Sequence, residues 1–321
     1  MNDNASAAGM PPQRSQPLLR AKVARACRRL VAVRGWQSLV NRVVPEHSAV
    51  FSIRNGETAF AGDIGSFIDR QVYLFGGYDS AAISAFIARI EPNRRGTILD
   101  IGANAGTHTL QFARAFAVVH SFEPNPMLWR QFEHNVAINA LDNVRLHKIG
   151  LGDRDADLML HLIDKPNFGL GTFSTADQYD RPLLPAARCQ VRNAGAYLAE
   201  KGIGPVDAIK IDVQGFEPQV LHGLADVLKR DQPVIWCEVG AGTLNEIRTT
   251  DQLTDLIPFP FRCFEITPLS RWTGNSVTLR ERCGDLCGGD YVILPSGNAL
   301  ASSRIVRDTL KERGTARIVP G

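Results

Sequence analysis

The sequence predicts an α/β fold: a mostly parallel sheet covered by helices on both faces. Three observations lead there. The apolar run at 97–101 reaches Asp100, turns on Gly102 and Gly106, and opens a helical pattern at Thr107. A second apolar run, 117–122, ends at Glu123. Downstream, short apolar runs and helical patterns keep alternating, which is the signature of parallel strands joined by crossover helices.

Taken in order, residues 1–17 are polar, with Pro11, Pro12 and Pro17, and are expected to be a disordered segment. Residues 18–49 read as a basic helical extension. Leu19, Val23, Leu30, Val33 and Val40 recur at near-helical spacing among arginines over 18–44. Residues 1–44 hold eight bases and one acid, a charge of +7, which leaves −4 for the rest of a chain whose total is +3. A basic amphipathic helix of this kind suits an anionic membrane surface or a partner. The break at Arg34-Gly35 favours the plainer alternative, a helix docked on the body with its basic face in solvent. An Arg-rich, acid-poor start also has the look of an organellar transit peptide. The −4 body gives no hint of a nucleic-acid surface.

Residues 50–78 read as short strands with turns at Asn55-Gly56 and Gly76-Gly77, and 80–90 as an amphipathic helix capped by Asp79 or Ser80. The spacing then predicts strand 97–101, helix 107–115, strand 117–122, helix 127–140 behind Pro126, and strand 143–149. Residues 151–200 are irregular, with short β segments. Strand 206–211 leads to helix 218–230, strand 233–237 to helix 243–256, and strands 261–266 and 290–294 close a domain of residues 50–296. Residues 297–321 are left as a C-terminal tail.

A chain of 321 residues with 44% apolar and 21% charged content is ordinary for a globular protein. It has no apolar stretch long enough to span a bilayer and no apolar signal core. Six irregularly spaced cysteines suggest no disulfide framework, so a cytoplasmic setting is expected, with the basic extension as the feature that would bring the chain to a membrane. Cys263, Cys283 and Cys287 fall within loose zinc spacing but lack a partnering His or second close pair.

In an open parallel sheet, ligands bind beyond the carboxyl ends of the strands. Asp100, Glu123, Asp212 and Glu238 all fall at or just after such ends, and Asp153 follows the third strand. Each could instead cap the next helix, but four acids in register point to a shared polar cleft. The turn is Asp100-x-Gly102-x-Asn104-x-Gly106, which lacks the G-x-G-x-x-G spacing of a pyrophosphate loop. Asp100 suits a cationic ligand, and S-adenosylmethionine carries an ammonium and a sulfonium with no phosphate. Asn104 and the loop N–H groups would take its carboxylate, and Glu123 its ribose hydroxyls. A hydroxyl acceptor is a poor nucleophile and needs help. Asp212 and Glu238 are the candidate catalytic residues, as a base or as oxygen ligands of a divalent ion. The alternative for Asp212 is a structural pairing with Lys210. His108 and His222 are lesser candidates for the base.

Leu-Asp-Ile-Gly-Ala-Asn-Ala-Gly (99–106), Ser-Phe-Glu-Pro-Asn-Pro (121–126), Gly-Leu-Gly-Asp (150–153), Ile-Lys-Ile-Asp-Val-Gln-Gly-Phe-Glu (209–217) and Val-Leu-His-Gly (220–223) together resemble the FkbM family of S-adenosylmethionine-dependent methyltransferases. Gln214 stands where that family usually has Glu, and 191–195 lack the acid of its usual Thr-Leu-Asp. The resemblance implies a class I methyltransferase Rossmann-like fold with a seven-stranded sheet, its last strand antiparallel, and O-methylation of a carbohydrate or secondary-metabolite hydroxyl. It implies a cofactor set of Asp100, Gly102, Ala103, Asn104, Gly106, Glu123, Pro124 and Asp153, the last near the adenine amino group. A nicotinamide-dependent oxidoreductase and a non-catalytic membrane-surface module are the competing readings; the absent G-x-G-x-x-G counts against the first.

Overall fold

The computed structural model describes residues 19–27, 40, 42, 44, 48–162, 171–173, 183–240, 242–268, 276–298, 304–306 and 317–319. The expected disordered segment 1–17 and most of the basic extension lie outside them.

The chain opens with helix α1 (Leu19–Ala26), a hairpin of β1 (Val50–Asn55) and β2 (Thr58–Asp63), and helices α2 (Phe67–Phe75) and α3 (Ser80–Ile87). The Asn55-Gly56 turn closes the hairpin as expected. Residues 67–75 are a helix, not strand-like. Phe67, Tyr73 and Leu74 read as strand formers by type, yet Val72, Tyr73 and Leu74 are buried together. Burial around most of the helix overrides β propensity here. Gly76, at φ +93°, ends the helix in the left-handed conformation that glycine adopts without cost.

The main sheet is built from β3 (Thr97–Ile101), β4 (Val118–Phe122), β5 (Val144–His147), β10 (Ala208–Ile211), β11 (Val234–Val239), β12 (Phe261–Pro268), β13 (Val277–Arg282) and β14 (Gly289–Pro295). Its spatial order is β5-β4-β3-β10-β11-β14-β12-β13. The first five run parallel and β14 runs antiparallel between β11 and β12. The sheet has eight strands rather than the expected seven, because β13 adds an antiparallel edge strand against β12. Arg280, Glu281 and Arg282 give β13 a charged character that hides it from an apolar-run search, and such charge suits a sheet edge.

From β3 the chain steps outward to β4 and β5, then returns to place β10 on β3's other side. That reversal opens a crevice between the carboxyl ends of β3 and β10. Alternation assigns the faces. Leu99, Ile101, Ile209, Ile211 and Ile235 pack under α6 (Ala194–Glu200), α7 (Glu217–Gly223), α8 (Ala225–Asp231) and α9 (Thr250–Leu256). Ile98, Ala208, Val234 and Trp236 pack under α3 and the short α4 (Thr109–Phe112). The expected helix 218–230 is two helices that meet at Leu224, and the expected helix 243–256 is a 3-10 turn (Thr243–Asn245) followed by α9.

One helix links the front of the chain to this sheet. Helix α5 (Pro126–Ile138) contributes Asn135, whose Oδ1 accepts from the Ala61 N–H and whose Nδ2 donates to the Ala105 carbonyl. A second sheet, ordered β6-β9-β7-β8, is made of β6 (Gly150–Gly152), β7 (Ala156–Leu162), β8 (Gly171–Thr172) and β9 (Leu184–Asn193). In the tail, β15 (Arg304–Val306) pairs with β16 (Arg317–Val319).

Candidate active site

A cavity of about 1090 Å³, counted out to its open mouth, lies over the crevice. Leu128, Leu151, Leu160, Phe173 and Phe216 give it an apolar lining, and Tyr78, Asp212, Gln214 and Glu238 a polar one. Gly102, Asn104, Glu123, Pro124 and Asn125 complete the lining.

The turn after β3 presses against the turn after β10. Gly102 has φ +85°, and a Cβ there would sit 1.8 Å from the Asp212 carbonyl oxygen. Only glycine serves at this position, for both reasons. Gly106, at φ +87°, opens α4's approach, and a Cβ there would press on the Phe132 ring at 3.1 Å. Asn104 is itself left-handed at φ +54°.

Glu123 stands on the cavity wall at the end of β4. Its Oε2 accepts the Asn104 N–H and its Oε1 the Asn125 N–H, both at 2.8 Å. Each oxygen keeps one acceptor position for a ligand. Burial raises its pKa to about 7, against the lowering effect of those two N–H groups and of Lys210.

Asp100 corrects an expectation. It does not line the cavity. Strand alternation turns its side chain beneath the turn, where it is fully buried. Its Oδ2 accepts the Thr109 hydroxyl at 2.5 Å, and its Oδ1 lies 3.8 Å from Lys210 Nζ without a hydrogen bond. Ser121, Asp100, Lys210 and Trp236 are neighbours across four strands. A buried carboxylate needs such compensation, and this one finds it inside the protein. Asp153 likewise stands apart: it is exposed beside Arg154 and does not line the cavity. Ala103 is buried in the turn, behind the cavity wall.

Asp212 and Glu238 do come together, and Gln214 joins them. The Gln214 Nε2 donates to Asp212 Oδ1 at 2.8 Å and to Glu238 Oε2 at 2.6 Å. Lys210 Nζ donates to Asp212 Oδ2 at 3.0 Å. Burial by itself would raise the Asp212 pKa. The Lys210 charge and the hydrogen bonds from Glu238, Gln214 and Lys210 overcome it and hold the carboxyl well below the usual range. The Asp212 charge, with burial behind it, pushes Glu238 up to about 11. The pairing of Asp212 with Lys210, weighed from the sequence as the structural alternative, is therefore real and sits inside the cavity wall. Three of the four carboxyl oxygens accept an N–H hydrogen and the Lys210 ammonium already balances the pair's charge, a poor setting for a divalent cation. Among the described residues no group of three or more His, Cys, Asp or Glu side chains is placed to hold a metal.

The loop carrying Asp212 is shaped by Glu217. Its carboxylate accepts the Val213 and Gly215 N–H groups at 2.9 Å and the Thr243 hydroxyl. His222 is exposed on α7 and does not line the cavity. His108 is buried behind Tyr78, with its ring 6.0 Å from Tyr78's and its Nε2 3.5 Å from Asp79 Oδ2. Tyr78, Lys210 and Gln214 are site residues for which sequence reasoning assigned no role in the cleft. A lysine in the middle of a buried parallel strand, two residues before an acid, was the available signal for Lys210, since such a charge must be paired.

Fold and turn together define an α/β protein with a mostly parallel sheet and a cavity, walled by an acid, at the carboxyl ends of its strands. Comparison with known proteins narrows this. The Methyltransferase FkbM domain matches residues 100–260, and the chain belongs to that family. It is 29% identical over 150 residues to "Methyltransferase 1" of Beauveria bassiana, covering 40% of this chain and 58% of that protein. It is 27% identical over 150 residues to the 2-O-methyltransferase NoeI of Sinorhizobium fredii, covering 41% and 59%. The chain thus matches a little over half the length of these curated relatives. A solved FkbM methyltransferase from Methylobacillus flagellatus aligns over 70% of this chain and 52% of its own, at 12% identity and a TM-score of 0.40. No described helix is long and apolar enough to cross a membrane.

Proposed function

We propose that this chain is an S-adenosylmethionine-dependent O-methyltransferase acting on a hydroxyl of a carbohydrate or secondary metabolite. The observation that carries the reading is the Glu123 carboxylate, held on the cavity wall by two backbone N–H groups beside a turn that tolerates no Cβ at Gly102. The residues fit the cofactor. Glu123 would accept the ribose hydroxyls, Pro124 and Asn125 continue that wall, and the apolar lining with Leu151 and Phe173 would take the adenine. The turn of Gly102, Ala103, Asn104 and Gly106 would border the amino-acid end with its Cβ-free surface, its own N–H groups being held by the Phe122 and Ala103 carbonyls and by Glu123. Asp100 would act from beneath, through Thr109 and Lys210, as a support of that turn. Asp153, exposed outside that lining, would touch at most the cofactor's edge.

When bound, S-adenosylmethionine supplies a methyl group on a sulfonium, which is its own leaving group. The protein's work is to align the acceptor and take its proton; alignment alone can be worth several kcal/mol of barrier. Asp212 and Glu238 belong to the polar lining of the cavity, as does Tyr78. Water-poor surroundings there strengthen every charge interaction. The name of the NoeI relative, a 2-O-methyltransferase, supports a hydroxyl target. A crystal soaked with S-adenosylhomocysteine tests the reading: density between the Gly102 turn and Glu123 supports it, and density elsewhere, or tight binding of NADH in its place, defeats it.

A second, independent reading concerns the basic extension. Helix α1 exposes Leu19 and Val23 at 76% and 53% while Arg25 clasps the Tyr73 carbonyl and Asn55. Apolar residues held outward among bases would suit contact with an anionic membrane. Sedimentation with anionic vesicles checks it: the intact chain should pellet with them, and L19E/V23E should not. Equal pelleting of both would contradict it.

A further inference from the structure

We propose that Gln214 is a positioning residue, whose carboxamide nitrogen holds Asp212 and Glu238 as a pair sharing one proton, with Asp212 the anionic member that takes the acceptor's proton. This rests on the methyl-transfer reading above and goes beyond it by dividing the labour of the two carboxyls.

The geometry makes the division. One amide nitrogen carries two hydrogens, and Gln214 spends one on each carboxyl, at 2.8 Å to Asp212 and 2.6 Å to Glu238. The loop around Gln214 fixes where its amide points. Its backbone is left-handed at φ +54°, and its carbonyl accepts the Thr172 hydroxyl at 2.7 Å. Gly215 and Val213 on either side are tied to Glu217. The side chain is therefore aimed by a loop fixed at three points.

The two carboxyls differ in what else they face. Asp212 has the buried Lys210 ammonium at 3.0 Å. Among the described residues no cation hydrogen-bonds Glu238; its cross-strand neighbour is Asp290, whose Oδ1 is engaged by the Trp236 N–H. The other titratable groups near the pair among the described residues include Tyr78 and Asp79 ahead of α3, Asp100 on β3, His108 ahead of α4, Glu217 at the start of α7 and Cys237 on β11, and of these His108 alone is a base. Two carboxyls this close do not both ionise, and the proton resides where no cation stands. That is Glu238, and the upward shift of its pKa agrees. Asp212 stays ionised and open to the cavity. In the step assigned to it, the acceptor O–H bond breaks, the proton forms an O–H bond on an Asp212 carboxylate oxygen, and the bonding pair stays on the acceptor oxygen as the nucleophile.

Two readouts test this. The first needs no turnover. At about pH 8.5, above the range in which Glu123 and Asp69 titrate, the infrared carbonyl stretch of a protonated carboxyl should be present in the wild-type protein and absent from Glu238→Gln. No difference between the two overturns the shared proton. The second uses Gln214→Leu and Gln214→Glu, which keep the side chain's bulk and remove its donors. Both should bind S-adenosylhomocysteine within about threefold of wild type while kcat falls about 10- to 100-fold and KM for the acceptor stays within about threefold. A KM that rises in step with the fall in kcat, a Gln214→Glu protein as active as wild type, or variants that lose cofactor binding in step with activity would each overturn the positioning role. If both variants fail to fold, the infrared difference still decides. Failure of wild-type protein to bind S-adenosylhomocysteine would sink the methyl-transfer reading instead and leave the infrared result standing.

Discussion

At the scale of single residues, the cavity depends on a few atoms with no slack. Gly102 is the tightest. Gly102→Ala would place a methyl carbon 1.8 Å from the Asp212 carbonyl oxygen at a φ that alanine resists. It should destabilise the fold by several kcal/mol, of which only about 1–2 kcal/mol comes from φ itself, read as a drop in the urea midpoint. An unchanged midpoint would mean the two turns are not packed as described. Glu123 predicts a pH effect whose sign is fixed. The unfolded chain releases its Glu123 proton near 4.5 and the folded one near 7, so the folded state binds more protons in between. Stability therefore falls as pH rises from about 4.5 to 7, by on the order of 3 kcal/mol from this group. Glu123→Gln should remove that slope, measured as the difference between variant and wild-type unfolding free energies at the two ends of the window. Asp69, raised by burial to about 7 as well, contributes the same sign in both proteins and cancels in the comparison.

At the scale of elements, the sequence was most readable where pattern and burial agree. The strands at 97–101, 117–122 and 206–211 announce themselves because parallel strands buried on both faces are continuous apolar runs. The acids at their ends stood out for the opposite reason. What stayed hidden is contact made across the chain. Alternation could have turned Asp100 away from the cavity on paper, but only the register of β3 beside β10 shows Lys210 waiting for it. The two-turn helix at 67–75 hides in β-favouring residues, and the edge strand β13 hides in charged ones. Asn135 is the plainest case. Nothing in the local sequence marks an asparagine near the end of α5 as the clamp between the β2 backbone and the Gly102–Gly106 turn. Its replacement, Asn135→Ala, leaves a buried N–H and a buried C=O without their partner and should cost about 2–5 kcal/mol, seen in the denaturation midpoint. A cost below 1 kcal/mol would say that this link is ornamental. Glu217 plays the same part for the loop of Asp212 and Gln214.

At the scale of the whole molecule, the sheet's reversal between β3 and β10 puts three independent features in one place. The glycine turn comes from β3, the cavity-wall acid Glu123 from the end of β4, and the amide-linked carboxyl pair from the ends of β10 and β11. Cofactor binding should stabilise the entire fold, since these loops are tied to both helical layers. At a ligand concentration a hundred times Kd the gain is about 2.7 kcal/mol, which a thermal melt with S-adenosylhomocysteine reads directly. The proposed grip of Glu123 on the ribose of that ligand is the contact on which the cofactor site turns. Calorimetry of S-adenosylhomocysteine binding to wild-type protein and Glu123→Ala tests it most directly. Loss of two hydrogen bonds to a charged carboxylate should weaken binding by about 100-fold or more while the variant remains folded. Equal affinity in the two proteins would contradict the account.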